Sequence, residues 1–211
     1  MSNELSDNLE KEVLQKNQTF GIFPQAVSSF TLPNHQQFKQ DLLKWMTTKE
    51  LVPDHSRRMI SHNVTTIGKD NEVLNDIPEL KDALMLLIDK HNNNANNYQS
   101  RLQVSECYLE LADEGAIYAP HESSNCLYSL VYFVNYDSKL HSPLKFRRHI
   151  VSSFFPVLQV PCSKESIFNM PECFIPYSEG DVVIFPSNLT RGYESNPTGE
   201  RITLTVNIAP A

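Results

Sequence analysis

From Leu102 onward, short apolar runs recur between turns: CLYSLVYFVN, PLKF, SSFFPVLQV, FNMPECFIPY, DVVIFP and ERITLTVNI. No helical spacing separates them, and strands this short bury themselves only against one another, so the second half of the chain is a β sandwich or barrel. At its start, RLQVSECYLELADEG places Leu102, Val104, Cys107, Leu109 and Leu111 at the spacing of one strand or a pair of strands. The first half has a different texture. Thr19 to Pro33 reads as a short strand and a turn. Asn34 is then placed to cap a helix with Phe38, Leu42, Trp45 and Met46 on one face. After the polar stretch ISHNVTTIGKDNEVLND, Asp76 is placed to cap a second helix, with Pro78 in its first turn and Leu80, Leu84, Leu87 and Ile88 facing inward. HNNNANN, residues 91–97, ends it as a linker, a long loop or an extension of the helix.

The expectation is an α+β chain with N-terminal helices packed on an antiparallel barrel, one domain overall. Residues 1–17 form a polar arm, 18–100 a helical and mixed part, and 101–211 the barrel. Composition narrows the function. The chain of 211 residues is long enough for a substantial core and carries 18 Lys+Arg against 25 Asp+Glu, a net charge of -7. That balance argues against a nucleic-acid-binding face. No apolar run approaches the ~20 residues of a membrane span. The opening MSNELSDNLEKEV is not a signal peptide, which points to the cytoplasm. Cys107, Cys126, Cys162 and Cys173 lack zinc-type spacing and read as reduced thiols. With six glycines in all, the chain has no GxSxG, P-loop or GxGxxG motif. KFRRHI, residues 145–150, reads as solvated charge at a strand edge, and FRRHIVSSFFPVL as a contact surface.

Three segments carry the chemistry: EGAIYAPHESSNCLYSLVYFVN, PLKFRR, and GDVVIFPSNLTRGYESN followed by ERITLTVN. Their order and spacing resemble the 2-oxoglutarate/Fe(II) oxygenase superfamily, in particular a group of small oxygenase-like proteins of marine bacteria and their phages. The resemblance covers roughly residues 100–208. It implies a double-stranded β-helix (jelly-roll/cupin-like) barrel. Such enzymes hold Fe(II) with two histidines and one carboxylate and bind 2-oxoglutarate through an arginine, a bidentate task suited to guanidinium. By position, the resemblance makes His121 the first metal ligand and Arg201 the 2-oxoglutarate carboxylate clamp, and Gly180, Asp181, Pro186, Ser187, Gly192, Asn196 and Asn207 markers of the fold.

Two positions depart from the pattern. The second ligand position is Ser123; Glu122 offers a carboxylate one residue early, on the opposite face of a strand unless the register slips. The third is Arg191, a permanent cation. Such an Arg191 either pairs with Glu122 or another buried carboxylate, serves as an anion anchor, or points to solvent. Arg201 either keeps a carboxylate pocket or forms a structural ion pair. A surviving metal site would need His141 or His149 from a neighbouring strand. The expected function is therefore a non-catalytic structural or interaction protein with no cofactor, a homo-oligomer or a phage virion component with protein partners. The alternatives are an active Fe(II)/2-oxoglutarate dioxygenase with a non-standard ligand set, and a metal-free dicarboxylate binder.

Overall fold

The protein is described by a computed structural model over residues 25–49, 61–68, 71–148, 161–166 and 169–211. In chain order the elements are β1 (Ser28–Thr31), α1 (His35–Thr47), β2 (Ser61–Ile67), α2 (Glu72–Asp76), α3 (Pro78–Ala95), β3 (Leu102–His121), β4 (Tyr128–Asn135), β5 (Lys145–Arg147), β6 (Glu172–Cys173), β7 (Asp181–Pro186), β8 (Arg191–Tyr193) and β9 (Arg201–Pro210). The strands pair antiparallel in the order β1-β7-β4-β9-β3-β8-β5-β6, with β2 alongside β3. β3 joins the two walls of the fold: its first half pairs with β9, from Leu102↔Pro210 to Ala112↔Arg201, and its end pairs with β8. Between the halves Gly115 has φ 76, a left-handed conformation that glycine adopts without strain. Where β3 meets β8, Gly192 lies so near the backbone that a Cβ there would run into the Tyr118 carbonyl oxygen.

β9 shows how the layers form. Arg201 to Ile208 are all buried, although apolar and polar residues alternate along them. Ile202, Leu204, Val206 and Ile208 join Leu109, Leu130, Tyr132, Val182 and Ile184 in a core shared with Leu42 and Trp45 of α1 and Leu80, Leu84 and Ile88 of α3. Arg201, Thr203, Thr205 and Asn207 face the other way, into the barrel lumen. Each even-numbered side chain is stabilised by burial, about 1.5–3 kcal/mol for a fully buried aliphatic residue. The odd-numbered ones must find polar partners inside.

The capping and turn expectations need correction. Asn34 does precede α1, but in a left-handed conformation (φ 58) and with no side-chain cap; its carbonyl accepts from the Gln37 and Phe38 amides. Asp76 closes the separate helix α2, and its carboxylate accepts from Trp45 Nε1 (2.8 Å), while Ile77 precedes Pro78 at the start of α3. Aspartate suits both roles, and only the packing of α1 beside α2 decides between them. The polar ISHNVTT contains strand β2, whose pairing with β3 overrides its weak pattern. HNNNANN extends α3 to Ala95. Within it, His91 and Asn92 are buried, because the Asn92 amide bonds the Tyr98 backbone and accepts from Tyr128 OH. Leu102–His121 is one strand and not a pair. The arm 1–17 and residues 149–158 of the contact stretch 146–158 lie outside the described residues.

Candidate functional site

The β3–β8 register sets the site. His121 and Arg191 are direct cross-strand partners, and Tyr118 pairs with Tyr193 one step away. A register shift does fall between Tyr118 and His121, yet Glu122 stays exposed, with its carboxylate accepting from Thr190 Oγ1 at 2.7 Å. His121 is half-buried. Its Nδ1 lies 2.8 Å from the Ala119 carbonyl, which only accepts, so Nδ1 carries the proton. Its ring stands edge-on to Tyr118, 4.3 Å between centroids.

Arg191 is 2% exposed. Its guanidinium donates through Nη2 to Ser123 Oγ and lies 5.3 Å from the centroid of Phe185 on β7, across the barrel. Thus the three positions named by the sequence resemblance (121, 123 and 191) do come together, as imidazole, hydroxyl and guanidinium. Burial lowers the Arg191 pKa from its usual value; Tyr108, Tyr118 and Glu110 nearby act in the opposite direction, and a guanidinium stays charged. Nη1 has no hydrogen-bond partner among the described residues.

Arg201 is 1% exposed and takes part in no ion pair among the described residues. Aromatic rings flank its guanidinium instead: Tyr193 at 4.2 Å and Phe133 at 5.9 Å from the centroids. Its Nε also lacks a hydrogen-bond partner among the described residues. The buried carboxylate of this lumen is Glu110, 4% exposed on β3, whose Oε2 accepts from Thr205 Oγ1 (2.9 Å) and Thr203 Oγ1 (3.4 Å); the exposed Glu106 accepts from Asn207 (2.7 Å) further along the same face. Its Oε1 has no partner among the described residues, nor does Tyr193 Oη, whose pKa burial raises.

These residues do not fit an iron site. Fe(II) needs neutral imidazoles and carboxylates on one face, and a buried guanidinium fills one of the three positions. Among the described residues no group of three or more His, Cys, Asp or Glu is placed to hold a metal. His141 is spent elsewhere, its Nδ1 accepting from the Asp137 amide (3.0 Å) and its Nε2 lying 3.1 Å from the Gly199 carbonyl. His149 lies outside the described residues. The Arg201 cradle does fit a carboxylate: a buried cation whose ring-covered faces leave its edge for hydrogen bonding. Lys145 and Arg147 of the basic cluster pair with Glu172 and Glu194 in a surface network, though β5 lies between β8 and β6 and is not the edge the sequence suggested.

Sequence reasoning missed Glu110 and Tyr193. Glu110 lies in an alternating stretch whose polar positions read as the solvent face, and its signal was the matching run Arg201, Thr203, Thr205 on the strand paired with it.

A two-walled antiparallel barrel with helices against one wall defines a double-stranded β-helix, the fold that 2-oxoglutarate/Fe(II) oxygenases have. No family model matches the sequence, and no curated protein matches it. Solved structures do. A prolyl-4-hydroxylase of Pseudomonas putida superposes with a TM-score of 0.60 at 16% identity, over 95% of this chain and 96% of that one. HygX of Streptomyces hygroscopicus, solved with nickel, 2-oxoglutarate and hygromycin B, gives 0.62 at 11% identity, over 89% and 84%. The viral collagen prolyl hydroxylase of Paramecium Bursaria Chlorella virus-1, in its 2-oxoglutarate complex, gives 0.54 at 11% identity, over 86% and 94%. At such identities the likeness is one of fold. No helix among the described residues is long and apolar enough to cross a membrane.

Proposed function

We propose that this chain is a non-catalytic member of the oxygenase fold, a barrel in which a side-chain cation has taken the place of the metal and which works by binding instead of oxygen chemistry. The observation that carries this reading is Arg191: buried to 2% exposure, in register opposite His121 and donating to Ser123. A metal ion seated among these three side chains would face a fixed positive charge and only one strong ligand. Removing Arg191 from the slot would strip Ser123 of its partner and leave the negative charge of Glu110 less compensated.

Calorimetric titration of the purified chain with Co(II), with and without 2-oxoglutarate, tests the proposal. The expected result is no metal binding in the micromolar range under either condition. Micromolar binding that His121→Ala abolishes would overturn it and support the dioxygenase alternative.

A further inference from the structure

Four polar atoms lie in the lumen with no hydrogen-bond partner among the described residues: Arg191 Nη1, Arg201 Nε, Glu110 Oε1 and Tyr193 Oη. Each belongs to a side chain at most 4% exposed. A buried polar atom left without a hydrogen bond is costly, and four of them together call for a partner that completes them. They belong to one cluster: Arg191 and Tyr193 stand two apart on β8, Tyr193 packs on Arg201 at 4.2 Å, and Glu110 is bonded to Thr203 and Thr205 on the face of β9 that carries Arg201. The surrounding wall is apolar and aromatic, built from Phe133, Val131, Phe185 and Phe146, with Tyr177 stacked on Phe133 at 3.8 Å.

The unmatched atoms describe a ligand by complement. Two guanidinium groups call for carboxylate at two points. Glu110 Oε1 calls for a donor, because an ionised carboxylate only accepts. The charges of Arg191, Arg201 and Glu110 sum to +1. We infer that the lumen is a metal-free binding site for a small amino dicarboxylate, whose two carboxylates meet Arg191 and Arg201 and whose ammonium meets Glu110. Such a molecule carries one net negative charge and balances these three side chains. The inference rests on the metal-free reading above. It also separates the site from one for an oxo-dicarboxylate, which has no donor to offer Glu110.

The test is calorimetry of the chelator-treated full chain with three acids of one length: L-glutamate, 2-oxoglutarate and glutarate. L-Glutamate is expected to bind at least about tenfold more tightly than either of the others, the size of one charge-assisted hydrogen bond. Glu110→Gln, in a variant shown folded by circular dichroism, is expected to remove that preference while retaining weak binding of all three. Arg201→Lys is expected to weaken all three alike, and Arg191→Met to abolish binding.

Absence of binding by all three acids would overturn the inference, as would equal affinities, which would mean anion capture without the Glu110 contact. A preference unchanged in Glu110→Gln would overturn it too. A parallel Co(II) titration keeps the two proposals apart. Metal binding that depends on His121 sinks the metal-free reading, whereas silence toward both metal and acids sinks this inference alone.

Discussion

If Arg191 is what keeps metal out, replacing it should let metal in, and the structure says which substitutions suffice. Ser123 Oγ already reaches the Arg191 guanidinium, so a carboxylate on the same Cβ reaches the same space. Position 191 is the cross-strand partner of His121, and an imidazole placed there faces the same mouth. The double variant Ser123→Asp/Arg191→His thus assembles two histidines and one carboxylate. The repulsion it removes is large. A unit charge at about 4 Å and an effective dielectric near 20 contributes about 4 kcal/mol, and a dication doubles that to about 8 kcal/mol, five to six orders of magnitude in affinity. Two ligand bonds are gained besides. The parent should therefore show no Co(II) binding at millimolar concentration, and the double variant should bind in the micromolar range. The assay is visible absorption of Co(II), whose ligand-field bands report nitrogen and carboxylate coordination, with calorimetry for the constant. Ser123→Asp alone should fail, because the new carboxylate pairs with Arg191. If that single variant bound Co(II) as tightly as the double one, the argument that the guanidinium excludes metal would be wrong.

His91 is fully buried, bonded through Nδ1 to Ser28 Oγ at 2.7 Å, and burial lowers its pKa below the usual histidine value; His141 shifts in the same direction for the same first cause. Both take up a proton at lower pH in the fold than in the unfolded chain, which does so at about pH 6.5. Their contribution is complete above that pH and is lost as the pH falls. Urea unfolding at about pH 7.5 and about pH 5.5 should show a lower midpoint in acid, with a smaller difference in His91→Phe. Gly192→Ala should lower the thermal midpoint by several degrees. Its Cβ meets backbone at Tyr118 and not a movable side chain, an overpacking cost of about 1–3 kcal/mol. An unchanged midpoint would mean that β3 and β8 are less closely apposed than described.

The barrel was legible early because its signal is local: strands with period-two patterning, no helices between them and turn residues at the joints. The helical faces of α1 and α3 were legible for the same reason, as Phe38, Leu42 and Trp45, or Leu80, Leu84, Leu87 and Ile88, return every three or four residues and are buried. Strand β2 was not, because SHNVTTI carries little apolar pattern and is held by its pairing to β3. The caps were misread because asparagine and aspartate bond equally well to a helix end, a turn or a distant indole, and only neighbours choose among these.

The sequence by itself determined which residue types stand at the three positions where oxygenase barrels keep their metal ligands: His121, Ser123 and Arg191. That needed only motif order and counting. Tertiary structure alone decided what those residues mean. An arginine in an acidic protein ordinarily faces water, and nothing local says that Arg191 and Arg201 are 2% and 1% exposed. Likewise a polar face on an alternating strand reads as solvent, yet along β9 it lines a lumen, because the second wall of the barrel comes from β5, β6 and β8, brought over by β3. Burial is a property of what lies opposite, and what lies opposite is set by pairings far along the chain, 93 residues apart for Glu110 and Thr203, which no local pattern encodes.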